Sequence, residues 1–250
     1  MKIFENINEW KKFRKEHPSS MGFVPTMGAL HDGHLSLIKH ARRENEKVIV
    51  SIFVNPTQFN DPCDLDNYPV DLDRDIASLK ELEVDYLFLP TKKSIYPEDY
   101  NCKVIENNLG RILCGKTRTG HFDGVLTVVM KLFNIVGPSR AYFGEKDYQQ
   151  LSLIKKMAAN FFMDVEVIGC PIIREADGLA MSSRNVLLDK KHRCLAPWFY
   201  KILKNTESID LKKRKLEEIG FKVDYLEKHD SRLYGAVFLN EVRLIDNVKL

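Results

Sequence analysis

The chain has 250 residues, of which 44% are apolar and 29% charged, with 38 basic against 35 acidic side chains. That length and balance describe an ordinary globular protein with one large domain, or a large domain and a small partner. The slight positive excess gives no argument for nucleic acid. No apolar run is long enough to cross a bilayer, and the opening MKIFENINEWKKFRK lacks the apolar core of a secretory signal. A cytoplasmic location is therefore expected, with neither membrane nor nucleic acid as a partner. Cys63, Cys102, Cys114, Cys170 and Cys194 are widely and irregularly spaced with no CxxC pair. They read as inert thiols rather than as zinc ligands or a disulfide framework.

In chain order, MGFV reads as a short strand, followed by PTMGALHDGHLSL at Pro25 to Leu37. Apolar positions resume at helical spacing after the polar turn, so a strand-to-helix junction is expected there. Gly28 and Gly33 would let the backbone approach a ligand closely. His31 and His34 lie three apart at the helix start, where unpaired N–H groups attract anions. The plainer reading is a helix cap with a surface histidine. KVIVSIFVN forms a nearly all-apolar strand ending before Asn55-Pro56, DLDRDIASLKELE a helix and VDYLFLP another strand. This rhythm predicts parallel, buried strands, with ligands gathering beyond their carboxyl ends.

A helix is expected over about 125–135, a strand over 140–143, the compact run GEKDYQQ, a helix from LSLIKKMAANF and a strand from DVEVIGCPI. ADGLAMSSRN is loop-like, a helix holds Trp198, and the basic stretch from Lys201 to Lys215 reads as a solvated face. YGAVFLNEVRLIDNV alternates like two antiparallel strands, with Leu239-Asn240 and Asp246-Asn247 as turn positions. The change of character after Pro171 places a domain boundary near 171–176.

Several segments offer chemistry. Asn55 and Gln58 of NPTQF could read a hydroxyl and a carboxylate, or could simply close the strand in an Asx-type turn. Lys146 and Asp147 of GEKDYQQ could neutralise a phosphoryl group and hold a ribose, or form a charged turn. Ser182, Ser183 and Arg184 suit a triphosphate, or an ordinary helix cap with a surface arginine. Lys116, Arg118 and His121 of KTRTGHFDGV could bind an anion or stand in a solvated turn. The phosphate-loop pattern GxxxxGK[ST] is absent, as are HExxH and GxSxG.

Taken together, PTMGALHDGHL, NPTQF, GKTRTGHFDGVLTVVMKLF, GEKDYQQ and READGLAMSSRN resemble the pantoate–beta-alanine ligase (pantothenate synthetase) family over nearly the whole chain. HDGH is similar to the HxGH signature of the wider nucleotidyltransferase superfamily. The resemblance implies an α/β protein with a Rossmann-like open parallel sheet over 1–173 and a smaller α+β C-terminal lid over 174–250. It also implies a homodimer that uses ATP and Mg²⁺ to join pantoate and β-alanine through a pantoyl adenylate. His31, His34, Lys146 and Arg184 would then act catalytically on the phosphates, the histidines through charge-assisted contacts. Pro25, Met27, Gly144, Asp147, Met181, Ser182 and Ser183 would complete the nucleotide site. Met27, Asn55, Gln58 and Gln150 would hold pantoate, and Arg118 and His121 belong to the substrate side without a defined role. No protein metal ligands are implied, since phosphates and water would hold Mg²⁺. Thr119 and Val70 depart from the family pattern, where proline and arginine are more usual, and the C-terminal part is shorter than is typical.

Overall fold

The computed structural model describes all residues, Met1–Leu250. Six parallel strands form the main sheet: β1 (Lys2–Phe4), β2 (Met21–Thr26), β3 (Lys47–Ile52), β4 (Tyr86–Phe88), β5 (Arg140–Gly144) and β6 (Glu166–Cys170). Their spatial order is β1-β4-β3-β2-β5-β6, and a separate antiparallel sheet is formed by β7 (Lys222–His229), β8 (Arg232–Leu239) and β9 (Val242–Lys249). This is the Rossmann-like sheet with a smaller α+β C-terminal domain. No helix is long and apolar enough to cross a membrane.

The apolar strand sequences follow from burial on both faces. Phe23, Ile49, Phe88 and Phe143 enter one core with Trp10 and Phe133, while their neighbours Val24, Val48, Leu87 and Tyr142 enter a second with Ile38 and Leu79. The C-terminal sheet repeats the logic. Leu226, Leu233 and Val237 pack into its own core with Phe199, while the alternate positions Tyr225, Tyr234 and Ala236 join the first core of the main sheet.

The chain reverses its direction of addition between β2 and β5. These strands pair only at Gly22–Arg140 and Phe23–Ala141, then part before their carboxyl ends. Pro25 has no N–H to extend the ladder, and the crevice opens between Pro25–Met27 and Gly144–Lys146. Ligands in doubly wound sheets collect at such a reversal.

The structure revises four expectations. The helix expected over 125–135 runs from His121 to Val136, because Gly120 supplies a left-handed turn that starts it earlier. Asp246 and Asn247 form no turn; they lie within β9, nearly fully buried, and Asn240 with Glu241 makes the reversal between β8 and β9. A third strand, β7, stands beside the two expected. Lys212 leaves the solvated face: only 2% exposed, its ammonium donates to the carbonyls of Leu203 (2.8 Å) and Asn205 (2.7 Å) at the end of helix Pro197–Lys204. There a cation meets the negative end of the helix dipole.

Gly124, on the long helix, is pressed against the loop after β3. A Cβ built there would lie 2.3 Å from the Thr57 carbonyl oxygen and 2.8 Å from the Gln58 nitrogen. Gly124→Ala is expected to destabilise the chain by about 1–3 kcal/mol, seen as a lower urea midpoint. An unchanged midpoint would show that the loop yields freely.

Candidate active site

Helix Asp32–Glu44 begins with His31 as N-cap and His34 in its first turn. His31 Nδ1 accepts from the Gly33 N–H (3.1 Å), and His34 Nδ1 accepts, at a longer 3.4 Å, from the His31 N–H. With Nδ1 accepting in both rings, each neutral imidazole carries its proton on Nε2. The ring centroids stand 4.1 Å apart. Burial and the Lys146 ammonium lower His31 to about 4; burial, His31 and Lys146 lower His34 to about 3. The rings are therefore uncharged near neutrality and each offers an Nε2–H donor.

The turn before this helix is held from outside. Ala29 adopts a positive φ of 50° after Gly28 at 82°. The Asp75 carboxylate, buried on helix Leu72–Glu81, accepts from the N–H groups of Ala29 (2.9 Å) and Leu30 (2.7 Å). These two bonds fix the backbone that presents His31. The DLDRDIASL run gives no local sign of this partnership, since Asp75 also fits an acidic helix start.

Asn55, only 1% exposed, is satisfied entirely within the protein. Its Oδ1 accepts from Tyr96 OH (2.8 Å) and Thr57 Oγ1 (2.9 Å), and its Nδ2 donates to Gln58 Oε1 (3.0 Å) and, at a longer 3.3 Å, to the Gly124 carbonyl. Through these bonds Asn55 orients Gln58, and it also lines the cavity described below. Gln58 Nε2 then meets Met27 Sδ at 3.2 Å. His121 and Arg118 grip the same residue from behind, donating to the Gln58 carbonyl from Nδ1 (2.8 Å) and Nη2 (3.3 Å). Burial and the Arg118 guanidinium lower His121 to about 3. Of the adjacent glutamines, Gln149 turns into the core to clasp the carbonyls of Leu109 and Ile112, while Gln150 borders the cavity.

Opposite the histidines, Lys146 sits in a single turn, Glu145–Asp147, after β5, its ammonium 3.7 Å from Asp147. Ser182 caps the short turn Ser183–Leu187. Arg184 spends its fork on Asp64, with bonds of 2.9, 3.0 and 3.1 Å, and Tyr68 OH lies 3.2 Å from Ser183 Oγ. Asp64 and Tyr68 were not singled out from the sequence, because CDLDNYP carries only an ordinary acidic, turn-rich pattern.

A cavity of about 250 Å³ unites these groups. It is lined by every residue assigned above to the nucleotide, the phosphates or the substrate, including Pro25, Gly144 and Met181. Lys116 lies outside it, exposed.

A family model described as Pantoate-beta-alanine ligase matches residues 2–249. The chain belongs to the pantoate-beta-alanine ligase family. The pantothenate synthetase of Bdellovibrio bacteriovorus is 49% identical over 248 residues, covering 99% of each chain. That of Legionella pneumophila (strain Corby) is 48% identical over the whole of both. The short C-terminal part is thus common to these relatives. Among solved structures, the ligase of Francisella tularensis, crystallised with "Beta-gamma ATP" and β-alanine, superposes with a TM-score of 0.95 at 44% identity, covering 100% of this chain and 97% of that one. The Thermus thermophilus pantothenate synthetase gives 0.90 at 42%, covering 100% and 99%. As a pantoate-beta-alanine ligase, the chain is an ATP-dependent enzyme that forms pantothenate.

Two outcomes follow for such a ligase. Unfolded histidines take up protons near pH 6.5, but His31, His34 and His121 resist until about 4, 3 and 3. Below pH 6.5 the unfolded chain binds more protons, so stability should fall on acidification from 6.5 to 5, by up to about 1.4 kcal/mol per histidine per pH unit. Urea titrations should show this slope flattened in His121→Gln, and a midpoint level down to pH 5 would contradict neutral burial. Asp75→Asn turns one acceptor into a donor facing a backbone N–H and should cost about 1–3 kcal/mol. A wild-type urea midpoint would remove Asp75 from this role.

Proposed function

We propose that the cavity carries out both steps of the condensation of (R)-pantoate with β-alanine. The products are pantothenate, AMP and pyrophosphate, and the intermediate is a pantoyl adenylate. One observation carries the reading: His31, His34, Lys146 and Arg184, which suit phosphates, share a single cavity with Met27, Gln58 and Gln150, which suit a small branched hydroxy acid.

In the first step a pantoate carboxylate oxygen attacks the α-phosphorus of ATP, and the bond to the β-phosphate bridge breaks, its electron pair leaving with pyrophosphate. Negative charge grows on the α-phosphoryl oxygens, where the Nε2–H groups of His31 and His34 donate without needing to be protonated. Lys146 and Arg184 balance the charge of the leaving pyrophosphate, Asp64 holding the Arg184 fork until phosphate oxygens replace it. Ser182, Ser183 and Met181 line the same path, with Asp147 at the ribose and Pro25 and Gly144 beside the nucleotide. Gln58 and Gln150 hold pantoate's polar groups and Met27 packs on its methyls, while Asn55, His121 and Arg118 keep Gln58 in place. In the second step β-alanine attacks as the free amine at the acyl carbon and expels AMP. Excluding water protects the mixed anhydride between the steps.

No three His, Cys, Asp or Glu side chains stand together as a metal site, which suits Mg²⁺ entering with the triphosphate on phosphate oxygens and water. We divide the chain at 173/174, with the smaller domain closing over the nucleotide. We read the enzyme as a cytoplasmic homodimer, and its five free cysteines suit a reducing compartment.

Incubated with Mg-ATP, pantoate and β-alanine, the enzyme should yield pantothenate and AMP in equal amounts. Pyrophosphate and an acyl adenylate formed without pantothenate would instead favour an adenylyltransferase. His34→Ala is expected to lower kcat by about 10²-fold, the scale for one lost transition-state donor. Unaltered turnover would remove His34 from the mechanism.

A further inference from the structure

The Lys146 turn has no anchor of its own. Neither its first residue nor the start of the following helix Tyr148–Asn160 is capped by a side chain. Its carbonyls are taken instead from β9: Asn247 Nδ2 donates to the carbonyl oxygens of Glu145 (2.9 Å) and Lys146 (3.0 Å). Asn247 is 2% exposed, and its Oδ1 accepts from Arg232 Nη1 (2.6 Å), so the amide is fixed with both donors toward the turn. Arg232 also pairs with Glu145 (3.1 Å) and lies over the Tyr148 ring, 3.7 Å from its centroid.

The preceding residue does the same for the other cationic segment. Asp246, buried, takes both arms of Arg174 at 2.6 and 2.9 Å. Arg174 also donates to the Gly178 carbonyl (3.2 Å) and bridges to Ala180, closing the loop that leads into Met181–Arg184. Asp246 Oδ1 further accepts from the Asn247 N–H (2.8 Å), joining the two supports.

We propose that Asp246 and Asn247 are positioning residues for the reaction. From adjacent places on the last strand they set the two segments that carry Lys146 and Arg184, so that both cations meet one triphosphate. The inference rests on the reading of Lys146 and Arg184 as phosphate-binding groups. It makes the C-terminal sheet part of the phosphate site's construction, beyond any role in covering it. Gln58 and Met27 hang on separate elements, so the effect is confined to ATP.

Steady-state kinetics on the purified full-length enzyme test this. Asn247→Ala should lower kcat/KM for ATP by roughly tenfold to a hundredfold, the scale of a small misplacement of a reacting group, with KM for pantoate held within about twofold. Asn247→Asp, which keeps Arg232 but cannot donate to the two carbonyls, should be no better. In a Lys146→Ala background, Asn247→Ala should add little, because both changes remove the same interaction. Full additivity, or an equal rise in both KM values, would overturn the proposal and leave Asn247 a structural residue. If Asn247→Ala does not fold, Arg232→Ala, which frees the amide without deleting it, should show the same ATP-specific loss; wild-type kinetics there would overturn the proposal as well. Should Lys146→Ala itself keep wild-type use of ATP, the reading of Lys146 fails. An impaired Lys146→Ala beside a normal Asn247→Ala rejects the present inference alone.

Discussion

The short pairing of β2 with β5 is the constraint on which the site depends. Two residue pairs hold these strands, and beyond Phe23 they part. A longer ladder would close the crevice; a weaker one would let the two halves of the sheet separate. The apolar packing of Phe23 and Phe143 on one face, and of Val24 and Tyr142 on the other, holds the junction where the backbone hydrogen bonds stop. The histidine turn and the Lys146 turn leave from opposite lips of this opening. Their separation is therefore set by the sheet rather than by either loop.

Within the cavity, charge is distributed unevenly for a physical reason. Two half-buried imidazoles beside the Lys146 ammonium favour their neutral forms, so the wall offers directed N–H dipoles without accumulating further cationic repulsion. Arg184 is already matched by Asp64. The wall thus holds one pre-balanced guanidinium, one ammonium close to a carboxylate and two uncharged donors. Such preorganised dipoles act on charge that develops during reaction with little rearrangement.

Support for this wall comes largely from far along the chain. Asp75 holds the backbone before His31, Asn55 and His121 hold Gln58, and the C-terminal sheet holds the turn of Lys146. Tyr225, Tyr234 and Ala236 of that sheet share the main core, so its placement on the larger domain is secured by apolar burial as well as by polar contacts. Polar groups that look idle in one segment are satisfied by another.

What the sequence by itself determined was whatever depends on neighbours along the chain. The apolar run of β3 specified a buried parallel strand, HDGH after a short strand specified a helix start, and five ordered blocks carried the family. Decisions that need partners from afar were left to tertiary structure. Asp246-Asn247 has the local character of a turn, yet its partners Arg174, Glu145 and Lys146 lie many residues away, and their bonds hold it in the middle of β9. Gln149 and Gln150 are equivalent on paper, and only packing turns one to the core and one to the cavity. The partners of the Asn55 amide, Tyr96 and Gly124, come from distant segments, and Lys212 seemed solvated until a helix end claimed its charge. Local pattern encodes the backbone's periodicity and its turn chemistry. Whether a buried polar group still has a hydrogen bond to give is settled only when distant segments meet.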